Sequence, residues 1–257
     1  MTKMSARLKK NLIFVTAMIL AAAVFIGSAI MLIARLLPDS YDYEQFKTVT
    51  TDEVIEIGEK GDNPIDFSKL QQHNPDVCAW IQVEGTAVDY PILRSGADKE
   101  EGYYLNHNLD GQKHVGGSVY IEKGNSSDFS DPNTVVYGHN MLNGSMFATL
   151  KKFRDADFFK TNKYIYVYTP GHIYKYQIVS AFVYDDRHIL NSFNCYIEGG
   201  MQAYIDNCKN PASLVKNVRD ISVETDDKLL TLSTCTNRKK ERYLVVAKLI
   251  EDIETKN

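Results

Sequence analysis

The run Leu229-Leu230-Thr231-Leu232-Ser233-Thr234-Cys235 reads as an apolar strand that delivers a cysteine to its end. A strand end fixes a side chain while leaving it open to a ligand, and a thiolate needs both to attack a carbonyl. Cys235 is therefore a candidate nucleophile. Upstream, Val135-Val136-Tyr137-Gly138-His139-Asn140 is a strand that runs into a histidine, and Arg242 opens a third strand, Tyr243-Leu244-Val245-Val246-Ala247. The three would act as nucleophile, proton carrier and anion-stabilising donor. With thiol and imidazole acidities of about 8.5 and about 6.5, an isolated pair holds only about 1% of its neutral population as thiolate and imidazolium. A guanidinium within a few ångströms favours the thiolate, although it disfavours the imidazolium. Arg238 could also approach Cys235, but it belongs to the polar turn 236–241, whereas Arg242 immediately precedes an apolar strand.

The elements that must position these residues are mostly strands. Short β-rich runs recur at 79–83, 87–93, 118–121, 134–137, 164–168, 173–184, 229–233 and 243–250, separated by Gly, Asn, Asp and Pro. Eight strands of this size predict a mainly β fold, a closed or nearly closed barrel without exposed edges. One helical piece precedes it and two interrupt it. Residues 66–73 form a short helix with Asp66 as N-cap. Residues 145–153 place Met146, Leu150 and Phe153 on one helical face. The third, at 191–217, is a long insertion before the cysteine strand, with a helical stretch at 201–208.

The chain has 257 residues, 44% apolar and 24% charged, enough for one substantial core. Residues 12–33 are almost unbroken apolar sequence without charge; as a helix they would span roughly 33 Å, enough for one bilayer crossing. A cleaved signal is the competing reading, but its apolar region is typically about 7 to 15 residues. Lys3, Arg7, Lys9 and Lys10 precede the span, while Asp39, Asp42 and Glu44 follow it closely after Arg35. This bias predicts a cytoplasmic tail at 1–11, an anchor at 12–33, a juxtamembrane helical segment at 34–63 and an extracellular catalytic domain at 64–257. None of the 33 acidic residues lies in the first 35 positions, so the outer part is strongly acidic and unsuited to nucleic acid.

Four cysteines, Cys78, Cys195, Cys208 and Cys235, would permit two disulfides outside a cell. A nucleophilic Cys235 must stay free, so all four cannot pair. No two have the spacing of a zinc site, and no metal or cofactor is expected. Cys78, beside Trp80, reads as a small buried hydrophobe. His73, His107, His114, His172 and His188 lie in polar or turn contexts and read as solvated.

Over roughly residues 60–250 the chain resembles the class B sortases, membrane-anchored cysteine transpeptidases of Gram-positive cell walls. The likeness rests on Asn74-Pro75-Asp76-Val77 through Trp80-Ile81, Gly85-Thr86, Asp89-Tyr90-Pro91-Ile92, Tyr137-Gly138-His139-Asn140-Met141, Gly144-Ser145-Met146-Phe147, the Thr231–Cys235 run and the arginine-led final strand. The length of the 191–217 insertion favours class B over class A. The resemblance implies an eight-stranded sortase barrel with N-terminal helices, and Cys235, His139 and Arg242 as catalytic residues. It implies substrate contacts from Leu105, Tyr104 and Ser233. The partners would be surface proteins with a C-terminal sorting signal, of the Asn-Pro-x-Thr or a related kind, and an amine of a peptidoglycan precursor or cross-bridge. Two positions depart from the family: Thr236 stands where several relatives carry an acidic residue, and Glu101 where relatives often have asparagine. A wall endopeptidase or amidase, or an anchored non-catalytic wall-binding module, are the competing functions.

Overall fold

The computed structural model describes residues 6–36, 41–48, 61–236, 238 and 240–255. Its contacts divide into two units, 1–38 and 39–257. The first contains helix α1 (Ala6–Leu36), longer at both ends than the expected span. Its segment Asn11–Ile33 has mean hydropathy 2.5 and is entirely unburied, long and apolar enough to cross a membrane. Of the helix expected over 34–63, residues 34–36 end α1 and Glu44–Phe46 form one 3-10 turn. Val49, Val54, Ile55, Ile57 and Gly58 lie outside the described residues.

In the second unit α2 (Phe67–His73) is capped as expected, with the Asp66 carboxylate accepting from the Lys69 amide at 2.9 Å. The strands are β1 (Val77–Val83), β2 (Asp89–Arg94), β3 (Val119–Ile121), β4 (Asn133–Tyr137), β5 (Tyr164–Thr169), β6 (His172–Asp185), β7 (Lys216–Val218), β8 (Leu229–Cys235) and β9 (Glu241–Glu254). They run in the order β5-β1-β2-β3-β4-β8-β9-β6-β7, and β5 also pairs with β6. That pairing closes eight strands into a barrel, so neither outer strand of the eight keeps a free edge. The eight are those the sequence predicts; the ninth, β7, is a three-residue strip on β6 whose Lys-Asn-Val sequence carries no apolar alternation. α3 (Ala156–Thr161) precedes β5, and α4 (Ile189–Ser192) and α5 (Gly200–Lys209) occupy the insertion before the cysteine strand.

Residues 145–153 depart from the expected helix. The chain turns back at Met146, which adopts φ 55°, and continues as a 3-10 helix over Ala148–Arg154. Met146, Leu150 and Phe153 are nonetheless all buried.

Alternation along β4, β8 and β9 sorts their apolar residues between two cores. Val136, Leu230, Leu232, Tyr243, Val245 and Ala247 fill the barrel. Val135, Leu229, Leu244 and Val246 pack outside it against Met201, Tyr204, Ile205 and Cys208 of α5. Thr231 lies in that outward row. Its hydroxyl donates to Asn133 Oδ1 at 2.8 Å and accepts from the fully buried Tyr204 hydroxyl at 2.6 Å, which gives both hydroxyls a partner where α5 packs on β8.

Candidate active site

Three outward rows run out at one rim of the barrel. β4 and β8 are parallel, with Val135 opposite Thr231 and Tyr137 opposite Ser233. His139 and Cys235 each lie two residues further along, so the pleat carries both onto the outward face at the same level. β9 returns antiparallel to β8, pairing Thr231 with Val246, Ser233 with Leu244 and Cys235 with Arg242. α5 covers the lower rows; above them Cys235 is exposed and His139 and Arg242 are partly exposed. The parallel register of two strands almost a hundred residues apart thus builds the cluster.

Gly138 is required by what it passes. A Cβ there would lie 2.7 Å from the Phe147 ring, which is itself fully buried. Just beyond, the Phe147 amide donates to the His139 carbonyl at 2.9 Å. The His139 ring is held from the other side: Nε2 lies 2.7 Å from the Leu105 carbonyl oxygen. Because a carbonyl can only accept, Nε2 carries the hydrogen, and in the neutral ring Nδ1 holds the free lone pair.

Around these residues lies a groove of about 250 Å³, lined by Leu105, Tyr137, His139, Ser233, Cys235 and Arg242, with Glu122, Asp186, His188 and Ile189 on its further wall. Two larger hollows, of about 700 Å³ beside Asp76 and Arg94 and about 850 Å³ beyond Thr236, contain neither Cys235 nor His139. The chemistry selects the smaller one.

Of the residues predicted from sequence, five line this groove: Cys235, His139, Arg242, Leu105 and Ser233. Tyr104 does not, and that expectation is corrected. It is fully buried beneath the rim, its hydroxyl donating to Asp76 at 2.7 Å and bonded by Asn74 at 3.1 Å. In the 3-10 helix Tyr103–Leu105, successive side chains point apart, so an exposed Leu105 entails a turned-away Tyr104. The two arginines are placed differently. Arg238 is 82% exposed and ion-paired to Glu241 at 3.1 Å, bordering the hollow beyond Thr236, whereas Arg242 stands directly across from Cys235.

The groove wall holds one feature the sequence did not mark. After β6 the chain crosses to the end of β3, where His188 Nε2 meets Glu122 at 2.6 Å. Burial raises the Glu122 carboxyl above its ordinary range even though His188 opposes the shift. Burial likewise raises the phenols of Tyr120 and Tyr137, which stack 5.5 Å apart and stay neutral. His188 is therefore paired rather than simply solvated, as are His73 with Asp110 and His172 with Asp252. The partners are 66, 37 and 80 residues apart, beyond the reach of local sequence signals.

The four cysteines are all free thiols. Burial pushes Cys78 up to about 12 and Cys195 up to about 11, and raises Cys208 as well. Among the described residues no cluster of His, Cys, Asp or Glu could hold a metal ion.

Residues 81–250 match the family model described as the Sortase domain. The chain is 33% identical over 211 residues to "Sortase B" of Listeria monocytogenes, covering 79% of this chain and 82% of that protein. Its fold is similar to the crystal structure of sortase B from Clostridium perfringens, with TM-score 0.61, 34% identity and coverage of 72% of this chain and 100% of that one. It is also similar to a Staphylococcus aureus sortase B–substrate complex, with TM-score 0.63, 26% identity and coverage of 75% and 87%.

Proposed function

Because this chain belongs to the sortase family and is a cysteine transpeptidase of class B, we propose that Cys235 is its nucleophile, His139 its proton carrier and Arg242 its oxyanion donor. The single observation that carries the assignment is the β4–β8–β9 register, which gathers these three side chains at one open rim.

The cycle follows from the groups present. Cys235 Sγ, as thiolate, attacks the carbonyl carbon of a threonine in the sorting signal, and the carbonyl oxygen becomes an oxyanion. Arg242 is suited to that charge because the guanidinium is always protonated and presents its donors in a rigid fork. The tetrahedral species collapses to a thioester as the threonine C–N bond breaks, and His139 gives a proton to the departing amine. His139 then removes a proton from the incoming amine, which attacks the thioester and releases the Cys235 thiolate. One amide is broken and one is made, so the cycle needs no energy-rich co-reactant.

The sorting signal we propose is of the Asn-Pro-x-Thr or a related kind, lying in the groove between Leu105 and the wall at Ile189. The acceptor is an amine of a peptidoglycan precursor or cross-bridge. We assign α1 to a single crossing of the cell membrane, with 1–11 cytoplasmic and the catalytic unit at 64–257 outside. The test is the full chain in detergent micelles with an Asn-Pro-x-Thr peptide and increasing triglycine. Amide product that rises with triglycine at the expense of free acid is expected; hydrolysis indifferent to added amine would make the chain an endopeptidase.

A further inference from the structure

We propose that Gly117 and the 3-10 helix Tyr103–Leu105 form a positioning device that presents one backbone carbonyl to His139 and so fixes its tautomer. The inference rests on the reading of His139 as the proton carrier. The hydrogen bond from Nε2 to the Leu105 carbonyl, 2.7 Å long, leaves Nδ1 as the only ring nitrogen able to take a proton. A ring free to turn would share its hydrogen between both nitrogens, and a base in the wrong tautomer cannot work even where its position is right. The same bond strengthens when the ring is charged, because a cationic donor binds a carbonyl more strongly than a neutral one. It therefore helps most at the moment His139 holds the proton.

The carbonyl is held from three directions. From below, Tyr104 is anchored in the core through its hydroxyl on Asp76. Along the chain, the Ser118 amide donates to the Tyr104 carbonyl at 2.9 Å. Behind it, Gly117 passes at φ 53°, where a Cβ would sit 2.4 Å from the Leu105 oxygen and 2.5 Å from the Tyr104 oxygen. Those atoms are backbone and cannot swing aside. Any side chain at 117 must displace the Leu105 carbonyl from the position in which it meets His139. Tyr104 thus acts on the site from beneath, through the backbone of its neighbour, without touching the groove.

Gly102 supplies the control. It begins the same helix at φ 71°, equally left-handed, but a Cβ there meets nothing within 4 Å. Backbone strain alone would make the two glycines behave alike; close approach makes them differ.

The test is nitrogen-15 spectroscopy of the histidine rings in the full chain in detergent micelles, with turnover of an Asn-Pro-x-Thr peptide measured alongside. In the wild type, neutral His139 is expected as the Nε2–H tautomer. Gly117→Ala and Gly117→Asn should show mixed tautomers and a kcat lowered about 10- to 100-fold, the cost of a small misplacement at a reacting group, with KM little changed. Gly102→Asn should keep the wild-type ring signals and turnover. A wild-type Nδ1–H tautomer overturns the proposal even if no Gly117 variant folds, as do folded Gly117 variants with unchanged tautomer and kcat. His139→Ala separates the two levels: full activity there removes the proton-carrier role itself, whereas loss of activity leaves that role standing whatever the tautomer proves to be.

Discussion

Cys78 and Cys235 are both strand cysteines, and the barrel treats them oppositely. Cys78 lies near the start of β1, in the wall, with its sulfur 3.5 Å from the Ile92 carbonyl on the neighbouring strand and its thiol raised by burial to about 12. Cys235 is the last residue of β8, exposed, with Arg242 across from it and His139 two residues beyond the end of the parallel strand β4. What separates the inert thiol from the proposed nucleophile here is position along a strand. Inside the wall both faces are covered; at the rim the outward face opens, and neighbouring strands deliver their own terminal side chains to the same place.

The strongest way to break this contrast is to exchange its two thiols. Cys235→Ala should abolish acyl transfer from a sorting peptide while the far-ultraviolet circular dichroism spectrum stays that of the wild type. Cys78→Ala should keep the turnover per folded molecule but lower the stability to denaturant by about 1 kcal/mol, the typical loss for a small change in a packed core. Activity that survives the first change, or disappears in a folded form of the second, would erase the distinction.

The arginines sharpen it at the next level. Arg242→Ala should lower kcat by roughly 100- to 1000-fold, about 2.7 to 4 kcal/mol, as expected for loss of an oxyanion donor. Arg242→Lys should recover only part, because a point charge lacks the guanidinium fork. Arg238→Ala should stay within a few fold, since its side chain is spent on Glu241. The opposite ranking in folded proteins would move the oxyanion site into the 236–241 turn.

Alkylation extends the comparison to all four thiols. At pH 8 a thiol titrating at about 12 is only about one part in 10,000 thiolate, so Cys78 should resist iodoacetamide, and Cys195 and Cys208 should follow it. Cys235 should be labelled first, as peptide mapping by mass spectrometry would show. The smallest effect on chemistry is expected from α1: removing residues 1–35 should leave turnover in solution nearly intact while shifting the protein from the membrane fraction to the soluble one. A mature protein beginning just after Ile33 would instead point to a cleaved signal.

The parts of this molecule legible in its sequence are those whose signals are local. Apolar runs bounded by turn residues mark all eight barrel strands, and Cys235, His139 and Arg242 stand out because each sits at one end of such a run. Asp66 is legible as a cap because its partner, the Lys69 amide, is three residues away. The parts that were not legible depend on contacts between distant segments. Tyr104 and Leu105 are neighbours in sequence, and only the 3-10 helix decides which of them faces the groove. The pairing of Glu122 with His188 needs the chain after β6 to cross to β3, which no local pattern announces. Gly117 looks like an ordinary turn glycine until the Leu105 carbonyl is seen behind it.

The central claim, that the rim of three strand ends is an acyl-transfer site and Cys235 its nucleophile, is tested most directly by trapping the intermediate. The full chain in micelles, incubated with an Asn-Pro-x-Thr peptide without acceptor amine, should gain the mass of the acyl fragment ending at threonine, held as a thioester on Cys235 and released by hydroxylamine. The Cys235→Ala protein should gain none. An adduct on Cys78, Cys195 or Cys208, or turnover of the peptide by Cys235→Ala, would contradict the account.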